Sequence, residues 1–271
     1  MKAGTTWLYA MLNRHPELHF TREKEIHYFH HAYVDRNSLS EKRRLREAKT
    51  RYIFNFDPET ANPEAIRRNL SWVSAYLDSP VDDFWYRNLF QMRGKERYAC
   101  DFSNLNAHLP AEAWPQIAAK CTKLRVLYTM RDPVKRLWSH TKFHLQFSGE
   151  LDKLGSWGPK DYKRFIHQPH IWANAEYGAV LRNLKAGLPE GCLKVIFYED
   201  IHADQAGALK GIEDFLGVAN HPYPPALLAR RFTESVKHEM PDFFPGLITD
   251  DVARIRKEIE TEGFVIPAAW G

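Results

Sequence analysis

Apolar positions along the chain alternate between helix-like and strand-like spacing. Trp7, Leu8, Met11 and Leu12 fall at i, i+1, i+4 and i+5 and predict a helix that stops near Asn13, because His15 precedes Pro16. Leu18-His19-Phe20 predicts a short strand. Pro63 opens a helix with Ile66, Leu70, Val73 and Leu77 on one face, and Asp78-Ser79-Pro80 ends it. Residues 97–100 read as a short buried strand, and residues 124–130 form the clearest strand of all. Asp132 is a good N-cap and Pro133 an ideal first helical residue; Val134, Leu137, Trp138, Thr141 and Leu145 then share one face. Tyr177, Val180, Leu181 and Leu184 mark a helix ended near Gly187, residues 193–198 another buried strand, and Leu209, Ile212 and Leu216 a helix capped by Gly217. Thr249 or Asp250 caps a last helix whose buried face is Val252, Ile255 and Ile259, and residues 266–270 form a docked tail. Residues 148–175 read as an extended connection or a substrate lip, and 230–245 as an irregular stretch. Alternating strands and helices imply an α/β fold with a central parallel sheet, helices on both faces, and a single domain over 1–271.

Composition narrows the classes. With 271 residues, 44% hydrophobic and 13% aromatic, the chain can bury a substantial core. A net charge of +4 suits an anionic ligand and is too small to indicate nucleic acid. Cys100, Cys121 and Cys192 have neither metal-like nor CxxC spacing, which argues against a disulfide framework and suits a reducing, cytoplasmic compartment. No secretory segment and no apolar run long enough to span a bilayer is visible.

The chemistry concentrates at two junctions. Lys2-Ala3-Gly4-Thr5-Thr6-Trp7 sets a cation, a glycine and two hydroxyls directly before a helix. A helix start offers unpaired N–H groups and a partial positive charge. Gly4 lets the backbone approach an oxyanion, Thr5 and Thr6 can donate hydroxyls, and Lys2 adds a mobile charge. The glycine pattern of a Walker A loop is missing before the lysine. On these residues alone the segment is either an anion cradle or an ordinary cap with an exposed lysine. A loop of this type follows a buried strand, so that strand is expected upstream of Met1, or absent. Arg131 sits at a second strand-to-helix junction, with Ser139 within the next two turns. A second anion site fits there; pairing of Arg131 with a carboxylate is the alternative.

Other segments are more open. In Lys24-Glu25-Ile26-His27 a glutamate two residues from a histidine, close to the cation loop, could serve proton transfer; a solvated loop is the bland alternative. His30 and His31 have no further ligand spacing for a metal. The basic run at 41–51 reads as a solvated helix face, or as a groove for an acidic substrate or nucleic acid. Asp83-Phe84-Trp85-Tyr86 reads as core or wall. Asp101-Phe102-Ser103-Asn104 lies at a strand's C-terminal edge, where open α/β sheets bind ligands.

Taken together, residues 2–8 and Tyr128-Thr129-Met130-Arg131-Asp132-Pro133-Val134-Lys135-Arg136-Leu137-Trp138-Ser139-His140 resemble the two nucleotide-binding motifs of sulfotransferases that use 3′-phosphoadenosine 5′-phosphosulfate (PAPS). Lys24-Glu25-Ile26-His27-Tyr28-Phe29 further resembles a segment of the heparan-sulfate-type and related bacterial branch. The resemblance implies a P-loop-like three-layer sandwich. It implies that Lys2, Ala3, Gly4, Thr5, Thr6 and Trp7 hold the 5′-phosphosulfate, with Lys2 near the bridging oxygen, and that Arg131 and Ser139 bind the 3′-phosphate. It implies Glu25 as general base with His27 beside it, and Lys237 in a late loop that closes over the nucleotide. Asp101 and Ser103 match acceptor-side positions more loosely. No metal is required, because the transferred group carries one negative charge. The expected partners are PAPS, its product PAP, and a glycan, a small alcohol or an amine, with no nucleic acid. Three departures stand out: the missing first strand, Thr141 where an aromatic is common, and no late cysteine pair. Two other classes are weighed. A P-loop kinase or NTPase would need Mg²⁺ and bind ATP as tightly as PAP. A non-catalytic polyanion binder would show steep salt dependence and no preference for PAP over AMP.

Overall fold

The structure is a computed structural model, described here over residues 2–53, 56–230, 232 and 236–271. The chain divides into two units, one of Leu12–Leu109 and one of Met1–Met11 with Pro110–Gly271. Helix α1 (Thr5–Leu12) opens the chain.

In the Leu12–Leu109 unit, β1 (Leu18–Phe20) is followed by α2 (Tyr28–Tyr33), α3 (Glu41–Ala48), α4 (Pro63–Leu77), α5 (Asp83–Asn88) and β2 (Tyr98–Cys100). β1 and β2 pair in parallel, with Leu18 opposite Tyr98 and Phe20 opposite Cys100. Residues 97–100 read as buried in the sequence; in the structure Arg97 and Ala99 are exposed and Tyr98 and Cys100 half-buried, so this short strand presents one uncovered face. Asn62 caps α4, its side chain accepting from the Glu64 and Ala65 amides, and Asp82 caps α5 through the Trp85 amide. Trp72 and Tyr76 stack at 5.0 Å, and Tyr76 packs on buried Trp85 at 5.9 Å. Phe84, read with Trp85 as core or wall, points outward instead.

The basic run 41–51 is mostly a solvated face, as expected, with Arg44 the exception among its cations. Arg44 is 2% exposed. Its Nη1 donates to the carbonyls of Tyr76 and Asp78 at 2.7 Å each, its Nε to Leu39 O at 3.2 Å, and its Nη2 to Ser79 Oγ at 3.3 Å. A guanidinium at the C-terminal end of α4 meets orphan carbonyls and the negative end of the helix dipole, so no carboxylate is needed. Arg43 pairs with Glu47, and Arg51 with Glu23.

In the other unit come α6 (Ala113–Ala118), β3 (Val126–Met130), α7 (Pro133–Phe147), α8 (Lys153–Ser156), α9 (Pro159–Ile166), α10 (Pro169–Trp172), α11 (Tyr177–Gly187), β4 (Leu193–Phe197), α12 (Tyr198–Ala203), α13 (Gln205–Leu216), α14 (Pro225–Leu228) and α15 (Thr249–Thr261). β3 and β4 pair in parallel from Val126 opposite Leu193 to Met130 opposite Phe197. The architecture is therefore mixed α/β, with its parallel strands, among the described residues, in two small sheets, one per unit. The core gathers Leu137, Trp138 and Leu145 of α7 with Tyr162, Phe165, Leu181, Phe244 and Ile255.

Most of residues 148–175 are helical from Lys153 onward, against the expectation of an extended connection. Pro159 and Pro169 stand at the first positions of α9 and α10, where a missing N–H costs nothing, and Tyr162, Phe165 and Ile166 share a buried stripe. α14 lies just before the stretch 230–245 that the sequence marks as irregular. α13 ends at Gly217 with φ 69°, as its sequence predicts. α15 starts at Thr249, one of the expected caps, so the cap position falls on Ile248, and Asp250 and Asp251 supply charge to the first turn. The tail docks, with Trp270 buried, its Nε1 donating to Glu199 Oε2 at 2.7 Å. Among the described residues no helix is long and apolar enough to cross a membrane.

Candidate active site

The loop before α1 is built from left-handed backbone. Lys2 has φ 64° and Gly4 φ 74°. A Cβ on Gly4 would lie 2.7 Å from Cδ2 of Tyr198, so only glycine fits this approach. Ala3 is buried, Thr5 is the first residue of α1 and Thr6 the next, and the first helical bond runs from Leu8 N–H to Gly4 O at 3.1 Å. The Trp7 indole N–H is donated to Leu228 O at 2.9 Å, which fixes α1 in its unit.

Arg131 follows β3 and reaches the same loop. Its Nη1 donates to Lys2 O at 3.2 Å, and its guanidinium lies over the Tyr198 ring at 4.3 Å. The Tyr198 ring thus lies against both Gly4 and Arg131. The Arg131 main chain is clamped by the buried Tyr177 hydroxyl, which accepts from Arg131 N–H at 3.3 Å and donates to Arg131 O at 2.9 Å. Arg131 Nε is buried and has no hydrogen-bond partner among the described residues. The side chain therefore meets a carbonyl and an aromatic face; the carboxylate pairing weighed above is not seen among the described residues. Asp132 caps α7 by accepting from Lys135 N–H at 2.9 Å, and its own N–H donates to Glu199 Oε1 at 3.2 Å.

Cations cluster here. Lys2 Nζ rests over the Phe143 ring at 4.6 Å. Burial lowers the Lys2 pKa from the ordinary lysine value, and the charges of Arg131 and Lys142 lower it further. Lys142 is lowered in the same way, by burial and then by Arg131. Lys142 Nζ donates to Val236 O at 3.0 Å, and the His238 ring lies 6.0 Å from Trp138, so the late segment is tied to α7. Lys237 is exposed within it. Glu234 and Ser235 of that segment lie outside the described residues. Ser139 is nearly buried on α7.

The Leu12–Leu109 unit holds the second group. Glu25 Oε2 lies 3.5 Å from His27 Nε2, and its Oε1 3.8 Å from Lys24 Nζ. Burial pushes the Glu25 carboxyl up, but the hydrogen bond from His27 and the charges of Lys24 and His27 outweigh it, and the pKa falls below the ordinary value. A carboxylate so held is deprotonated at neutral pH and free to accept a proton. Lys24 also stacks on Phe102 at 5.4 Å. His27 is buried with φ 60°, and its N–H donates to Ser103 Oγ at 2.9 Å. Ser103 donates in turn to Asp101, whose other oxygen accepts from Tyr86 OH at 3.0 Å. Burial raises the Asp101 pKa, opposed by the hydrogen bonds from Ser103 and Tyr86. Among the described residues no group of three or more His, Cys, Asp or Glu is placed to hold a metal ion.

The structure thus brings Lys2, Gly4 and Arg131 together in one unit, and Glu25 with His27 in the other. It adds Tyr198, Tyr177 and Lys142, which the sequence reading passed over. Tyr198 carries a signal, since it follows β4 directly at a strand's C-terminal end. Tyr177 carries none.

The sulfotransferase family model matches residues 1–222. The chain belongs to the sulfotransferase family and is by that membership a transferase. Solved structures share its fold, two of them as follows. A sulfotransferase from Alicyclobacillus acidocaldarius is similar at 20% identity and a TM-score of 0.63, over 99% of this chain and 94% of that one. The sulfotransferase domain from the Synechococcus PCC 7002 olefin synthase is similar at 18% identity and a TM-score of 0.51, over 98% and 92%. No curated protein matches the chain.

Proposed function

We propose that this protein moves a sulfuryl group from PAPS to a hydroxyl or amine acceptor, a glycan or a small molecule. The reading takes 1–271 as one catalytic domain of the P-loop-like three-layer type. The observation that carries it is the joining of the two anion motifs: Arg131 is hydrogen-bonded to the Lys2 carbonyl and shares the Tyr198 ring with Gly4. Three mutually repelling cations and a buried, unpartnered Arg131 Nε suit a multiply charged nucleotide.

The donor, when bound, supplies an activated sulfuryl group on a phosphate leaving group. Lys2 and the amides at the start of α1, with the Thr5 and Thr6 hydroxyls, neutralise the charge that develops on that phosphate. Arg131 and Ser139 hold the 3′-phosphate, and Lys237 closes over the nucleotide. Glu25, kept deprotonated by His27 and Lys24, takes the proton of the acceptor hydroxyl or amine as its lone pair attacks. Most of the rate comes from positioning and charge neutralisation.

The test is a labelled-sulfate transfer screen over glycans, small alcohols, phenols and amines. It is paired with calorimetric titration of PAP against AMP and ATP. PAP is expected to bind most tightly, without Mg²⁺. Glu25→Gln should keep PAP binding and lose transfer. Equal affinity for PAP and AMP, or loss of PAP binding in Glu25→Gln, would overturn these assignments.

A further inference from the structure

The backbone at His27 is held in a way the chemistry above leaves unexplained. A residue with a Cβ disfavours the left-handed region, yet His27 adopts φ 60°. This residue carries the imidazole that faces Glu25 at 3.5 Å. Whatever keeps the turn left-handed also sets where that imidazole points.

Two restraints act on the turn, and they meet at one carboxylate. The His27 N–H donates to Ser103 Oγ at 2.9 Å, and the Ser103 hydroxyl donates to Asp101 Oδ1. Because its hydrogen is committed to Asp101, the hydroxyl presents a lone pair to the His27 amide. The other Asp101 oxygen accepts from Tyr86 OH at 3.0 Å. The Tyr86 ring stacks on Tyr28, the residue after His27, with centroids 4.5 Å apart and planes 13° off parallel. Tyr28 is anchored by its own hydroxyl, which donates to Asp83 Oδ1 at 2.8 Å. One carboxylate thus braces His27 through Ser103 and Tyr28 through Tyr86.

We infer that Asp101 and Ser103 are positioning residues, which lock the left-handed turn at His27 and thereby aim the Glu25–His27 pair. This differs from direct contact with the acceptor, the looser assignment that the sequence resemblance implies for both residues. The inference rests on Glu25 as the base.

The experiment uses the full chain, with Ser103→Ala, Ser103→Thr and Asp101→Asn. Hydrogen exchange at the His27 amide is followed by NMR. Turnover of labelled PAPS is measured with water as acceptor, together with PAP binding by calorimetry. In Ser103→Ala, His27 exchange should rise and kcat fall, each by about tenfold, the effect of one lost hydrogen bond. KM for PAPS and PAP affinity should stay unchanged. Ser103→Thr, which keeps the hydroxyl, should restore both readouts. Asp101→Asn should follow Ser103→Ala, and if it fails to fold, the two serine variants decide. On a Glu25→Gln background Ser103→Ala should add no further loss. Unchanged exchange in Ser103→Ala overturns the inference. So does a loss seen in KM or PAP affinity instead of kcat, or one that adds to that of Glu25→Gln. Native turnover in Glu25→Gln would overturn the base assignment alone; exchange at His27 then still reports on the brace.

Discussion

Gly4→Ala tests the anion cradle at its tightest point. Two costs follow from the structure. The backbone sits at φ 74°, a left-handed conformation that costs an alanine about 1–2 kcal/mol. The new Cβ would meet Tyr198 Cδ2 at 2.7 Å and Cε2 at 3.1 Å, and pushing a packed ring aside costs about 1–3 kcal/mol. Together they come to about 2–5 kcal/mol. The ring is also the surface on which the Arg131 guanidinium rests, so its displacement reaches the second motif. If the loop keeps its shape in the free protein, the cost shows as lost stability in urea. If it relaxes, the cost returns on ligand binding as weaker PAP affinity, by at least about thirtyfold. The sum of the two losses is the quantity to compare. Tyr198→Leu provides the control: with the ring gone, adding Gly4→Ala should cost only the left-handed term. A Gly4→Ala protein with native stability and native PAP affinity would refute the reasoning.

Other outcomes follow from the same geometry. Lys2→Ala should lower kcat by about 3 kcal/mol or more of barrier, the scale of a lost oxyanion donor, measured by single-turnover transfer. Because burial, Arg131 and Lys142 lower the Lys2 pKa, PAP affinity in the native protein should weaken as pH rises, starting below the range of an ordinary lysine; calorimetry across alkaline pH checks this. His140, buried beside Arg136, has its pKa pushed down to about 3. Below pH 6.5 the unfolded chain gains a proton that the folded one refuses. Stability should therefore fall as pH drops from 6.5 toward 3, by up to about 5 kcal/mol, and His140→Phe should flatten that slope in denaturant melts. Tyr177→Phe removes the partner of both the Arg131 N–H and its carbonyl and should cost about 1–3 kcal/mol in urea unfolding.

Much of this molecule was legible before any coordinates. Periodicity located α1, α4, α7, α11, α13 and α15, because each carries an apolar stripe on a helical repeat, and cap residues fixed several of their ends. The junction at Arg131 was legible because a β-rich run stops at a capping Asp-Pro pair. Residues 148–175 misled because proline and glycine signal loops, whereas here two prolines open short helices. Arg44 looked solvated because its partners are backbone carbonyls brought together only by the fold. The Tyr198 wedge and the Tyr177 clamp depend on approaches across long sequence separations, which no local pattern encodes.

The crowding of Lys2, Arg131 and Lys142 has a practical side. Held close together, these like charges push against the fold they belong to. Small dianions in ordinary buffers should therefore tighten the protein and compete with its nucleotide. Phosphate or sulfate carried through purification would raise its melting temperature while masking its activity, whereas a zwitterionic buffer of low ionic strength would do the opposite.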